Sequence, residues 1–296
     1  MSTVLLTGAT GFVGRNIARE LASRQVSLRC LVRRSSDLKP LAGLPLELTY
    51  GDATDEASLE AACRDVHTVI HLVAVIRERG RATYELINRL GTAHLVRAAQ
   101  RAGVRRFIYM SNIGASPDPT YPFLRSKWQG EEEVKVSGIP HIVFRSSLMF
   151  GPEDEFTRKL AQLVRLTPIV PIIGSGRTRF QPIFVADTAR CVALALGSEA
   201  YLGRTIDIGG PEHLTYEEMV DAIIAALGRR RLKLHLPIPI MRPLVWLMER
   251  VLPNPPVTSG QLRMLSVDNI TSPDAVERTF GFKPVGFRQG LSYLRT

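Results

Sequence analysis

The sequence predicts a doubly wound α/β fold: a parallel sheet with helices on both faces, and a smaller, discontinuous C-terminal lobe. Three observations carry this expectation. Short apolar runs alternate with longer amphipathic stretches through the first half, a glycine-spaced turn joins the first run to the first helical pattern, and the alternation breaks after Gly151, where proline becomes frequent. The runs Val4 to Thr7, Val26 to Val32, Leu46 to Tyr50, Thr68 to Val73, Phe107 to Met110 and His141 to Phe144 read as buried parallel strands. Helical patterns between them supply right-handed crossovers. A later stretch from Phe180 through Leu196, followed by Thr205 to Ile208, reads as a return to the sheet. The first domain is therefore expected over 1–150 with a return segment near 180–210, and the smaller lobe over 151–179 and 211–296.

Composition narrows the class. The 296 residues are 45% hydrophobic and 22% charged, near the globular average, and long enough for two domains or one large one. The formal charge of +10 favours anionic partners without choosing among nucleotides, acidic lipid headgroups and acidic proteins. Nucleic acid is not expected, because no recognition motif or interleaved aromatics accompany the charge. Cys30, Cys63 and Cys191 are odd in number, far apart and without a Cys-x-x-Cys pair, so neither a disulfide framework nor a metal site is expected. Met1-Ser2-Thr3 runs straight into a strand-like segment, unlike a secretory leader. The most apolar long segment, Leu236 to Leu252, is broken by three prolines, two arginines and a glutamate, which argues against a membrane span. A cytoplasmic protein is expected, with peripheral contact at the inner face of a membrane left open.

Gly8-Ala9-Thr10-Gly11-Phe12-Val13-Gly14 follows the first strand at once and opens a helix near Arg15. Dinucleotide binding needs glycine at the tight turn, where backbone approaches the pyrophosphate, and where helix packs on strand, with the helix N-terminus facing the anion. The Gly-x-x-Gly-x-x-Gly spacing differs from the commoner Gly-x-Gly-x-x-Gly, but its place at the first strand-to-helix junction is specific. The second strand ends in Arg33-Arg34-Ser35-Ser36 where an NAD enzyme would carry a carboxylate. Two guanidiniums suit an adenosine 2'-phosphate, so NADP(H) is expected over NAD(H). The bland alternative is that both arginines are solvated loop charges.

With these pieces in place, the chain resembles the short-chain dehydrogenase/reductase superfamily, in its extended and atypical branches, and so a Rossmann-type sheet. Further matching pieces are Gly51-Asp52-Ala53, His71-Leu72-Val73-Ala74 and Asn88 with Gly91-Thr92. The resemblance implies that Asp52 and Ala53 address the adenine and that Leu72, Val73 and Ala74 line the cofactor. Asn88 is counted with them. On spacing alone, Tyr84, Asn88, Gly91 and Leu95 share one helix face, and a polar residue on that face needs a partner, so a structural asparagine is the alternative. Gly151 to Asp154, Gly174 to Ile183, Val185-Ala186-Asp187 and Asp207 to Glu212 look like bacterial relatives of the dehydrogenase-like accessory subunit of respiratory complex I. That similarity implies NADPH binding, sometimes structural.

In the superfamily, hydride chemistry uses a Tyr four residues before a Lys, with a Ser or Thr after the fifth strand. Lys127 matches, but Phe123 stands at the tyrosine position and has no proton to exchange. Tyr121 lies two residues earlier, about 200° round a helix from the Phe123 and Lys127 face, and substitutes only if the helix starts later. Asn112 aligns with the active hydroxyl, and a one-residue slip would restore Ser111. Two readings follow. In one, the chain holds NADP(H) and serves as an accessory or assembly factor of a membrane-associated respiratory complex; in the other, it is an NADPH-dependent oxidoreductase acting on an apolar carbonyl or quinone-like compound.

In the smaller lobe, Arg229-Arg230-Arg231-Leu232-Lys233 reads as a solvated turn after a helix end at Gly228. Leu244, Val245, Trp246, Leu247 and Met248 lie in an almost wholly apolar helix, and burial in the fold is the plainest expectation for them.

Overall fold

The computed structural model describes residues 2–252 and 257–295. In chain order it runs through β1 (Thr3–Thr7), α1 (Phe12–Ser23), β2 (Leu28–Val32), β3 (Glu47–Tyr50), α2 (Glu56–Cys63) and β4 (Val66–His71). There follow α3 (Gly91–Arg101), β5 (Arg106–Asn112), α4 (Pro122–Lys135), β6 (His141–Ser146), β7 (Met149–Phe150), α5 (Glu155–Leu166), β8 (Ile169–Ile173), β9 (Arg179–Phe180) and β10 (Ile183–Phe184). The chain continues with α6 (Val185–Leu196), β11 (Arg204–Ile208), β12 (Leu214–Thr215), α7 (Tyr216–Ala226), β13 (Leu232–Leu236), α8 (Ile238–Val251) and α9 (Ser259–Met264). It divides into two compact units, 1–146 with 185–208, and 147–184 with 209–296.

Unit 1 is built on a seven-stranded parallel sheet in the order β11-β6-β5-β4-β1-β2-β3. Parallel neighbours cannot be joined by hairpins, so every connection crosses over and covers a face. The larger buried cluster joins Leu5, Val69, Phe107 and Val143 of the strands to Leu59, Leu95, Val96 and Val134 of α2, α3 and α4. α1 packs against α6. The stretch from Phe180 to Leu196 corrects the sequence reading: beyond the two-residue β10 it is helix, and the strand that returns to the sheet is β11. The physical reason is that most of α6 is small and buried, so only Ala186 and Arg190, four residues apart, leave an exposed edge to mark the helical period. Cys30 on β2, Cys63 on α2 and Cys191 on α6 are buried. Burial pushes the thiols of Cys30 and Cys63 up to about 12 and raises that of Cys191 as well.

A π-helical turn, Tyr84–Leu90, runs into α3, and Thr83 caps it by accepting from the Leu86 N–H at 3.1 Å. Wider i→i+5 turns of this kind often occur where a helix must aim a side chain.

Unit 2 pairs β7 with β10 and β8 with β13 in parallel, and β9 with β12 antiparallel. α5 and α7 pack over Phe150, Val170, Ile172, Met219 and Phe287. Thr215 and Glu218 close a capping box at the start of α7, satisfying two orphan donors of its first turn. In α8 the expected burial holds for Val245, while Leu244, Trp246 and Leu247 are exposed. The reason is the seat: α8 rests on a small cluster of Met241, Val245 and Leu262, which accommodates one helix stripe only. Among the described residues no helix is long and apolar enough to cross a membrane.

Candidate functional site

Strand order reverses between β1 and β4, the point at which open α/β sheets leave a crevice beyond the strand carboxyl ends. Gly8 leaves β1 with φ of +74°, and a Cβ there would stand 3.3 Å from the backbone of Leu72 and Val73. A Cβ on Gly14 would lie 2.1 Å from the Gly8 carbonyl oxygen, so α1 reaches β1 only because Gly14 has none. Gly11 is the N-cap of α1, without a side-chain cap or an acidic residue in the first turn. Thr10, Phe12 and Val13 surround these glycines, and the free first-turn N–H groups and positive dipole end suit a pyrophosphate.

Arg33 and Arg34 are exposed where the chain leaves β2. The Arg34 guanidinium lies 5.5 Å from the ring centre of Tyr50, the last residue of β3. Asp52 follows Tyr50 closely and accepts from the Thr54 N–H at 2.9 Å, and Ala53 is buried beside Gly91.

Leu72, Val73 and Ala74 form the loop leaving β4. Asn88 holds its far end: Oδ1 accepts from the Val75 N–H at 2.7 Å, while Nδ2 donates to the Val75 carbonyl at 3.0 Å and to Ser126 Oγ at 2.9 Å. Both amide hydrogens are thereby used, so Asn88 acts as a clip between that loop and α4. Ser126 in turn donates to the Phe123 carbonyl at 2.7 Å.

Beneath the loop runs a buried polar row. Thr92 donates to the Asn88 carbonyl at 2.7 Å, so its oxygen is left to accept from His71 Nε2 at 3.1 Å, which makes His71 Nδ1 the acceptor for Thr7 at 2.7 Å. Burial and the neighbouring Lys127 hold the imidazole down to about 3, so it is neutral and this single tautomer satisfies every hydrogen bond of the row. The Lys127 ammonium lies 4.4 Å from the ring centre of Tyr109. Lys127 is buried, and its ammonium makes no hydrogen bond among the described residues. Burial holds it down to about 7 against the opposing pull of Glu131.

A glycine turn opening a helix N-terminus, a glycine-dependent contact between strand ends and a buried lysine with unmet donors fit a dinucleotide. Residues 4–209 match the NAD dependent epimerase/dehydratase family. The chain belongs to that family. It is 29% identical over 289 residues to the mitochondrial NADH dehydrogenase [ubiquinone] 1 alpha subcomplex subunit 9 of Arabidopsis thaliana, covering 91% of this chain and 71% of that protein. It is 31% identical over 186 residues to the ceramide reductase of Caulobacter vibrioides, covering 63% of this chain and 58% of that protein. The crystal structure of gox2253 superposes with a TM-score of 0.80 at 26% identity, covering 99% of this chain and 96% of that one.

Within this member of the epimerase/dehydratase family, Phe123 and Lys127 lie one turn apart on α4. The Phe123 ring stands 5.9 Å from that of Tyr84, whose hydroxyl donates to the Ile76 carbonyl at 3.1 Å. Tyr121 is the N-cap of α4, just before Pro122 and outside the helix with φ of -119° and ψ of 79°, so the condition for it to stand in for the missing tyrosine, a helix that starts after it, is met. Ser111 and Asn112 point to opposite faces of the sheet, as neighbours on a strand must. Ser111 donates to the fully buried Glu131, while Asn112 Nδ2 donates to the Ile113 carbonyl at 3.0 Å.

Glu131 was not among the residues singled out by sequence. Arg145 grips it twice, Nε to Oε1 at 2.9 Å and Nη2 to Oε2 at 2.7 Å, and Lys135 reaches it at 3.3 Å. Its carboxylate raises the Arg145 guanidinium further above its ordinary value. The i, i+4 spacing of Lys127, Glu131 and Lys135 is visible in sequence, but it reads equally as a solvated helix face. His71 and Thr92 stand in the matching pieces without a role assigned to them, and Ser126 carries no sequence signal, since each acts through a partner on another element.

Proposed function

We propose that this chain binds NADP(H) through Gly8, Thr10, Gly11, Phe12, Val13 and Gly14 at the pyrophosphate, and through Arg33 and Arg34 at the 2'-phosphate. Asp52 and Ala53 stand toward the adenine, Leu72, Val73 and Ala74 line the cofactor, and Asn88 holds that lining in place. Lys127 donates to the nicotinamide ribose hydroxyls. The bound cofactor would supply hydride chemistry, but the chain offers no hydroxyl at Phe123 to move the accompanying proton. That absence carries the reading: the chain holds the dinucleotide as an accessory or assembly factor of a membrane-associated respiratory complex, in the cytoplasm and peripheral to the membrane. The similarity to the complex I subunit of Arabidopsis supports the same role.

The test is the exchange of bound nucleotide against added NADPH. Release over hours with NADPH favoured over NADH is expected, whereas exchange within seconds overturns the structural-cofactor reading. Arg34→Ala should reduce the preference for NADPH about tenfold, the loss of one charge-assisted contact; an unchanged NADPH/NADH ratio removes the 2'-phosphate assignment.

The ceramide reductase similarity favours a second reading, an NADPH-dependent oxidoreductase on an apolar carbonyl or quinone-like compound. Tyr121 precedes the first turn of α4, and under the structural-cofactor reading Tyr121→Phe is expected to leave NADPH consumption unchanged. A drop of about 10² or more, as typically follows loss of a proton donor, would instead identify it as the acid of an active enzyme.

A further inference from the structure

Helix α8 carries two apolar stripes, and the fold uses one. Met241, Val245 and Met248 turn inward on the small cluster that includes Leu262, Ile173 and Leu236. About 100° round the helix, Ile240, Leu244, Leu247 and Val251 repeat at intervals of four, three and four, and are between 48% and 69% exposed. A second apolar strip lies on the strands beneath: Leu232, Leu234 and Ile169 are between 45% and 72% exposed. Strand alternation puts them on the same face of the β8 and β13 pair as Leu236 and Ile173, which seat α8. Contiguous apolar surface of this extent marks a place where something docks.

The flanks say what docks. Residues 229–252 hold six Lys or Arg against one Glu. The Glu, Glu249, is occupied by Ser259, accepting from its N–H at 2.9 Å and its hydroxyl at 2.6 Å. Arg229, Arg230 and Arg242 are exposed and make no ion pair among the described residues. Arg250 lies about a quarter-turn from the stripe, its guanidinium 3.7 Å from the ring centre of the half-exposed Trp246, which stands further round the helix. An apolar stripe edged by Arg250 and neighboured by an arginine cluster, with the nearby carboxylates Glu217 and Asp221 taken up by Lys233 and Glu249 by Ser259, matches the chemistry of an anionic bilayer surface: acyl chains, then phosphate. A second copy of this chain fits poorly, because a self-complementary contact would press two basic clusters together. Fourteen residues of helix reach about 21 Å, short of the hydrocarbon thickness, so α8 would lie in the interface plane rather than cross it.

We propose that α8, with the exposed face of β8 and β13, docks this chain onto the surface of an anionic phospholipid bilayer. Ile240, Leu244, Leu247 and Val251 enter the acyl boundary, and Arg250, about a quarter-turn away, meets lipid phosphate together with Arg229 and Arg230. This surface lies wholly within unit 2 and draws on no nucleotide-binding residue.

The test uses the full chain and extruded vesicles of phosphatidylcholine, with and without phosphatidylglycerol, in a sedimentation assay. Binding to the anionic vesicles is expected to exceed binding to the neutral ones by about tenfold or more and to weaken with salt. L244S/L247S should lower anionic-vesicle binding at least tenfold, and Arg250→Ala about fivefold, while NADPH binding by the same preparations confirms that they are folded. Equal binding to both vesicle types, no binding, or anionic-vesicle binding untouched by L244S/L247S overturns the proposal. So does capture of a protein partner or a second copy through these residues in the absence of lipid. A chain that binds NADPH and ignores vesicles sinks this inference and leaves the nucleotide reading intact; the converse result separates them the other way.

Discussion

Lys127→Met should stabilise the nucleotide-free protein and weaken its hold on the dinucleotide. The ammonium is buried against the Tyr109 ring and is held down to about 7 from an ordinary 10.5. Because the folded value is the lower one, the unfolded chain binds more protons between about pH 7 and 10.5. Stability therefore rises with pH across that window and levels off below it. At about 1.4 kcal/mol per pKa unit the burden at neutral pH is several kcal/mol. Methionine fills a similar volume without a charge to bury, so Tm at pH 7 should rise by about 5–10 °C and the pH dependence above 7 should flatten. NADPH affinity should fall about ten- to a hundredfold, the worth of one or two hydrogen bonds from a charged donor. Thermal melts from pH 6 to 10, with and without NADPH, read both effects. A variant that melts lower and keeps the pH slope would show that Lys127 is a structural cation instead.

Glu131→Ala should produce the largest loss of stability. Its carboxylate is fully buried and receives Arg145 in a two-pronged pairing, Ser111 and Lys135. Arg145 is left without its main partner but keeps 27% of its side-chain surface in water and Asp207 nearby, so the cost is about 2–3 kcal/mol, below that of a fully buried pair, which in a chain of this size lowers Tm by about 4–12 °C. A double replacement, Glu131→Met with Arg145→Met, should recover much of that loss, because apolar groups of similar volume have no charge to strand. Calorimetry on the three proteins decides the matter; a single-variant loss below about 1 kcal/mol would mean that water reaches the site.

What was legible in the sequence was what lies close together along it. Gly8, Gly11 and Gly14 are read from one strand-turn-helix junction, and Phe123 with Lys127 from one turn of helix, so local spacing sufficed. The inner parallel strands followed from apolar runs of the right length, because strands buried on both faces are largely apolar; β3, read as buried, lies at the sheet edge with Glu47, Leu48 and Tyr50 exposed. Three features lay beyond that reach. Glu131, Arg145 and Ser111 come from a helix and two strands, and nothing in their separate surroundings announces that they meet. The partners of Asn88 depend on a π-helical turn, which no side-chain period encodes. α6 resembled sheet because its small apolar residues are buried over most of its surface, and α8 resembled core because composition records how apolar a helix is and not how many of its sides are occupied.

The three cysteines give unit 1 a chemical clock. Cys30, Cys63 and Cys191 stand on a strand, on a helix from the cluster-bearing face, and on the helix that packs with α1, and burial keeps all three thiols protonated. Alkylation needs an exposed thiolate, so each modification waits for a local or global opening of the element that carries it. The order in which the three react is then the order in which the elements that carry them open, and a ligand that steadies the whole unit slows them together.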